Sequence, residues 1–224
     1  FPLAPLMHGA SQWAVMGRAF EGHRVVLAEK FDAQETWRLI EREKVNGLFI
    51  TGDAMARPLI EVYREIGATL DVSSFFLLAS SAVVFSQSVK DQFFEYFPSL
   101  VLFDSIGSSE TGGTGIVMAA KGQEMKGGPT VTPGNGAIVL DSETLLPLSP
   151  GSPVVGVVAR SGYIPLGYYK DEEKTAETFI QGTNGTRYAI SGDSALFEAD
   201  GSITMLGRGS QCINSGGEKI FPEE

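Results

Sequence analysis

Up to about Gly115 the apolar positions alternate between two rhythms. Trp13, Met16 and Phe20 recur at helical spacing within 11–20, which predicts a helix with all three on one face, and Trp13 and Phe20 are read as core ahead of the alternative, a substrate wall. Arg24-Val25-Val26-Leu27 predicts a short buried strand. Asp32 to Lys44 carries Trp37 and Ile40, with an acidic start and a basic end that suit a helix dipole. The strand Leu48-Phe49-Ile50 comes next, then a helix from Asp53 with Met55, Leu59, Ile60 and Tyr63 on its apolar side. The strand Phe75-Phe76-Leu77-Leu78, a helix from Ser86 to Phe97 and the strand Val101 to Phe103 follow. Strands separated by helices imply parallel pairing through crossovers. Ligands of such sheets lie beyond the carboxyl ends of the strands. Thr51-Gly52-Asp53, Ala79-Ser80-Ser81-Ala82 and a loop starting at Asp104 occupy those ends.

Beyond Gly115 the rhythm shortens. Apolar runs such as Ala137 to Leu140 and Val154 to Ala159 are separated by Gly127-Gly128-Pro129, Pro133-Gly134-Asn135-Gly136, Ser149-Pro150-Gly151 and Asn184-Gly185. Asp200-Gly201, between two apolar runs, is a hairpin signal. The predicted class is α/β: a parallel α/β sheet subdomain over 1–115, then a smaller antiparallel β subdomain over 116–206, a distorted barrel.

Composition narrows the partners. Of 224 residues 43% are apolar, enough for a sizeable core, and the formal net charge is −10. That charge argues against nucleic acid or an anionic membrane surface, both recognised through Lys and Arg. One cysteine, Cys212, excludes an internal disulfide and fits a reducing compartment; beside Ile213 it reads as a packed thiol. There is no run long enough to be a transmembrane segment and no signal-peptide pattern, so a cytoplasmic protein is expected.

Phe103 to Gly115 holds the candidate chemistry. After the strand, hydroxyls at Ser105, Ser108, Ser109, Thr111 and Thr114 are interleaved with Gly107, Gly112, Gly113 and Gly115. Glycine lets backbone N–H groups approach an anion, so the stretch predicts a phosphate-binding loop. Glu110 would repel a phosphate unless a cation lay between them, and Mg²⁺ commonly takes one or two carboxylates plus phosphate oxygens. Glu110 is therefore the candidate magnesium ligand, although a plain glycine-serine surface loop would have the same composition.

The order of several motifs resembles the adenylate-forming (AMP-binding) superfamily, and within it the acyl-CoA synthetases, or fatty-acid–CoA ligases. These are Pro5-Leu6-Met7-His8, Gly107-Ser108-Ser109-Glu110, Gly167-Tyr168-Tyr169 with Thr175-Ala176-Glu177-Thr178-Phe179, Ser191-Gly192-Asp193 and Gly207-Arg208. The resemblance implies joining of a carboxylic acid to ATP as an acyl-adenylate, then transfer to coenzyme A. It implies catalytic roles for Ser109, a hydroxyl on phosphate, and Glu110, a carboxylate on magnesium. ATP or AMP would be held by Ser81, Ala82, Val83, Asp104, Ser105, Ile106, Gly107 and Ser109, with Asp193 and Arg208 on the ribose. Two departures concern adenine: serines replace both glycines in Ser80-Ser81-Ala82-Val83, and Ile106 stands where many members carry a stacking tyrosine. His8 would position substrate, though a satisfied structural histidine reads the same way.

Residues 207–224 resemble the hinge into a small carboxy-terminal domain, with Ser210 at its pivot. The family's phosphate loop and its catalytic lysine have no counterparts here, so the chain is expected to be an inactive piece of a longer protein. The wording of 107–112 and 216–222 resembles bacterial ligases for fatty or steroid side-chain acids. Two other readings stay open: an amino-acid adenylation domain, and a nucleotide-binding homologue without catalysis.

Overall fold

The structure is a computed structural model that describes residues 1–82, 85–122, 130–134, 136–208, 213–215 and 218–220. The chain divides into two compact units, Phe1–Ser105 with Met118–Glu124, and Ile106–Val117 with Met125–Glu224. The fold is mixed α/β, parallel in the first unit and antiparallel in the second.

In the first unit the helices are α1 (Gly9–Phe20), α2 (Ala33–Glu43), α3 (Gly52–Ile66) and α4 (Gln87–Tyr96); the strands are β1 (Gly47–Ile50), β2 (Leu77–Ser81) and the start of β3 (Val101–Ser108). β2 pairs in parallel with β1 and β3, from Gly47↔Leu77 to Ser81↔Ser105. The first residues add an edge, for the Leu3 N–H donates to the Phe49 carbonyl and the Phe49 N–H to that of Phe1. α2 starts where Asp32 accepts a capping bond from the Glu35 N–H at 2.8 Å. Its Trp37 is fully buried, donates to the Leu59 carbonyl at 2.8 Å and lies among the rings of Tyr63, Phe75 and Phe97. Ile40, Leu48, Leu59, Leu78, Phe93 and Leu102 complete this core from helices and strands alike.

Three expectations fail in this unit. Arg24–Leu27 forms no strand; Val25 and Val26 are half-buried and Leu27 is exposed. Short apolar runs have strand propensity, but no neighbour offers this one a ladder. Trp13 and Phe20 are 53% and 86% exposed rather than core, because helical spacing fixes which residues share a face and not what the face meets. The strand before Asp104 does not end there either, since β3 continues through Ser108.

The second unit holds the end of β3, β4 (Gly112–Met118, its last residue in the first unit), β5 (Thr130–Pro133), β6 (Ala137–Leu140), β7 (Ser152–Ser161), α5 (Glu172–Thr178), β8 (Phe179–Gln181), β9 (Arg187–Phe197) and β10 (Ile203–Arg208). Its strands run in the order β4-β5-β10-β9-β7-β6, with β8 also on β9. A separate ladder joins β11 (Ile213–Ser215) to β12 (Glu218–Ile220). Alternation decides the packing. Val139, Val158, Ala195, Ile203 and Met205 form one apolar cluster, and their neighbours Leu140, Ala159, Tyr188 and Ile190 form another. The β9–β10 hairpin turns at Gly201, where φ is +83°, as Asp200-Gly201 predicts.

Candidate active site

The hydroxyl- and glycine-rich stretch is a tight hairpin turn rather than an open loop. β3 ends at Ser108 and β4 begins at Gly112, and a Cβ on Gly107 would stand 2.1 Å from the Gly112 carbonyl oxygen. Glycine is needed at 107 for that close approach. The Ser108 hydroxyl accepts from the Glu110 N–H at 3.2 Å and the Thr111 N–H at 3.1 Å. Such a serine turn fixes the backbone between the strands. Thr111 and Thr114 are buried and their hydroxyls lie 3.3 Å apart. From β7, the Arg160 guanidinium donates to the carbonyls of Thr111 at 2.8 Å and Gly113 at 3.2 Å. The turn thus presents Ser109, exposed, and Glu110, half-buried, from a braced backbone.

Foremost among the groups that act on the Glu110 carboxylate is Tyr168, ahead of Ser108 and Lys174. The Tyr168 hydroxyl donates to Oε1 of Glu110 at 2.5 Å. This bond, ahead of the opposing effect of burial, holds the Glu110 carboxyl below its ordinary value. Burial first, then the same bond, raises the phenol of Tyr168, which keeps its proton at neutral pH. Tyr168 comes just before α5, and its N–H donates to the Thr175 hydroxyl at 2.8 Å. An open cleft of about 470 Å³ lies beside it, walled in part by Leu166, Tyr169 and Glu172.

One half-buried carboxylate beside an exposed hydroxyl supplies hard oxygens, and among the described residues no group of three or more His, Cys, Asp or Glu could hold a metal. A Mg²⁺ ion here would complete its shell with phosphate oxygens and water.

The ribose candidates meet across one ladder. β9 places Asp193 opposite Arg208 of β10, with Gly192 at φ +79° just before it. The Asp193 N–H donates to the Ser191 hydroxyl at 3.3 Å. Ile106 is half-buried and packs against the cluster of Val117, Val131 and Ile203.

In the first unit, the ends of the parallel strands use their serines on one another. Ser81 donates to the Ser105 carbonyl at 2.8 Å, Ser105 to that of Ser80 at 3.3 Å, and the Ser80 hydroxyl accepts from the Gly52 N–H at 2.9 Å. Ala82, exposed with φ at +72°, is a non-glycine residue in the left-handed region, the kind of strain that concentrates at functional strand ends. Asp104 contacts the Lys90 ammonium at 2.5 Å. His8 is exposed, and only its backbone caps α1. Val83, Ser210 and Cys212 lie outside the described residues.

Sequence reasoning missed Arg160, Lys90 and the role of Tyr168. Tyr168 stood in a recognised motif without a function, and Arg160 follows an apolar run as a lone cation, which was the available signal.

This fold and these motifs define a class of protein. The sequence profile of the AMP-binding enzyme family matches residues 1–169, and the chain belongs to that family. Its relatives are more particular. It is 52% identical over its whole length to the 3-oxocholest-4-en-26-oate–CoA ligase of Rhodococcus rhodochrous. It is 55% identical, again over its whole length, to the medium/long-chain-fatty-acid–CoA/3-oxocholest-4-en-26-oate–CoA ligase of Mycolicibacterium smegmatis. It spans 41% of the length of each. Among solved structures, MatB from Rhodopseudomonas palustris superposes with a TM-score of 0.78 at 21% identity, over 99% of this chain and 42% of that one. The O-succinylbenzoate coenzyme A synthetase MenE of Bacillus subtilis, in complex with AMP, gives 0.77 at 20% identity, over 99% of this chain and 43% of that one. At such identities these two speak for the fold.

Proposed function

We propose that the protein carrying this chain is an AMP-forming acid–thiol ligase. A carboxylate oxygen attacks the α-phosphorus of ATP, the bond to pyrophosphate breaks, and an acyl-adenylate results. The thiol of coenzyme A then attacks the acyl carbon, AMP leaves, and the thiol proton goes to solvent. The observation that carries this reading is the braced turn that presents Ser109 and Glu110 side by side.

In this reading the Ser109 hydroxyl donates to a phosphate oxygen. Glu110 holds Mg²⁺, whose charge offsets the negative charge on the phosphates while pyrophosphate departs. A carboxylate accepts from both hydroxyls of a vicinal diol, which suits Asp193 to the ribose, with Arg208 opposite it in the ladder. Ser81, Ala82 and Ser105 at the strand ends, with Asp104, Ile106 and Gly107, are assigned to the nucleotide and His8 to the acyl substrate on the family resemblance. The names of the relatives above point to a medium- or long-chain fatty acid or a steroid side-chain acid. Action in the cytoplasm fits the described residues, where no helix is long and apolar enough to cross a membrane.

The test is ATP–pyrophosphate exchange by the full-length protein with fatty, steroid side-chain and amino acids, and Glu110→Gln as control. Exchange driven by one of the first two classes and reduced at least 100-fold in the variant is expected, on the order of one lost charge-stabilising contact. ATP binding without exchange for any acid would refute the ligase reading.

A further inference from the structure

The Gly167-Tyr168 and Thr175 motif stands some way along the chain from Glu110, and the proposed chemistry gives it no part. We propose that Tyr168 is a positioning residue that holds the Glu110 carboxylate in its metal-binding orientation, so that the segment before α5 and the turn between β3 and β4 work as one device. This rests on the reading of Glu110 as the carboxylate that faces magnesium.

A device of this kind needs a phenol that is itself fixed, and the segment around Tyr168 is tied down at several points. From β9, the Arg187 guanidinium donates to the carbonyls of Pro165 and Leu166, both at 2.8 Å. The Thr175 hydroxyl accepts from the Tyr168 N–H and donates to the Asp171 carbonyl at 2.6 Å. A Cβ at position 167 would fall 2.5 Å from Cγ2 of Thr175, so only glycine lets the segment lie this close to α5. The Tyr168 ring packs 5.7 Å from that of Phe179, and the Lys174 ammonium sits 4.4 Å from its centroid. Backbone, ring and hydroxyl are therefore all located before any ligand arrives.

A half-buried glutamate side chain can still sample several rotamers, few of which direct an oxygen toward one ion. The bond to Oε1 selects among them in advance. Partners of this kind tune metal affinity without touching the metal. The Arg160 guanidinium fixes the turn's backbone, and of the groups that act on the Glu110 carboxylate itself, Ser108 and Lys174 included, Tyr168 has the largest effect.

The experiment uses the full-length protein and Tyr168→Phe, which keeps the ring and removes only the hydroxyl. Binding of Mn²⁺ with ATP, followed by electron paramagnetic resonance, reads the site without turnover. The Mg²⁺ dependence of ATP–pyrophosphate exchange reads it during turnover. The expected result is an affinity for the metal–nucleotide complex lower by about tenfold and a matching rise in half-saturating Mg²⁺, with an unchanged melting temperature. Thr175→Val, which loosens the Tyr168 backbone and keeps its hydroxyl, is expected to shift both in the same direction by less. Metal–nucleotide affinity equal to wild type in Tyr168→Phe would overturn the proposal. Glu110→Gln separates the two levels. If it leaves exchange intact, the role of Glu110 itself falls; if it abolishes exchange while Tyr168→Phe changes nothing, only the positioning role falls.

Discussion

Lys90 of α4 and Asp104 of β3 form a pair whose removal has a calculable cost. Their charged atoms stand 2.5 Å apart, and the side chains are 3% and 20% exposed. At that separation and an effective dielectric of about 20, the attraction is roughly 6–7 kcal/mol, an upper bound. Lys90→Met keeps the aliphatic stem near Phe85 and leaves a largely buried carboxylate without its cation. Removing one partner of a buried pair costs about 3–5 kcal/mol, and the partial exposure of Asp104 argues for about 3. Lys90→Met with Asp104→Asn removes both charges and should lose less than the sum of the single changes. The assay is guanidinium unfolding followed by tryptophan fluorescence, to which Trp37, fully buried in the core of the same unit, contributes. The pH dependence has a definite sign. Burial raises the Asp104 carboxyl above its ordinary value near 3.8, and Lys90 opposes that shift. Without Lys90 the folded form holds a proton that the unfolded chain has already released, so stability falls as pH rises through the raised value and recovers as pH drops toward 3.8. A loss under 0.5 kcal/mol at pH 7, on the order of a neutral surface change, or a loss identical at pH 4.5 and pH 7, would refute the reasoning.

Two further changes probe the frame of each unit. Gly107→Ala drives a methyl group against the Gly112 carbonyl across the hairpin; a loss of about 1–3 kcal/mol is expected, and a thermal midpoint within 1 °C of wild type, roughly the resolution of such a melt, would contradict the close approach. Asp32→Ala deletes the cap on α2; it should cost about 1 kcal/mol in the same fluorescence-monitored unfolding, with Asp32→Ser recovering most of it.

The parallel half was legible because its helices carry their own punctuation. Asp32 caps α2, Ser86 precedes α4, and apolar triplets mark β1. The antiparallel half was legible through its turns, of which Asp200-Gly201 is the clearest. The candidate site was legible only in part. Composition located the stretch that holds Ser109 and Glu110, but glycines and hydroxyls occur equally in an open loop and in a hairpin. The Ser108 hydroxyl closes the turn locally, but Arg160, which braces it, comes from a strand far along the chain, and no local pattern encodes that contact.

Periodicity fails at α1 for a related reason. The spacing of Trp13, Met16 and Phe20 would suit a core face, and all three are more than half exposed. Tyr168 is the converse case: neighbours in sequence give no reason for a phenol there, yet its oxygen ends 2.5 Å from Glu110. A spacing rule reports how side chains on one element relate to each other, whereas both residues take their meaning from a second element. The chemistry of this turn is therefore not a property of 107–112 alone. An otherwise unchanged turn grafted without Arg160 and Tyr168 would keep the motif and lose the geometry that holds Glu110 in place.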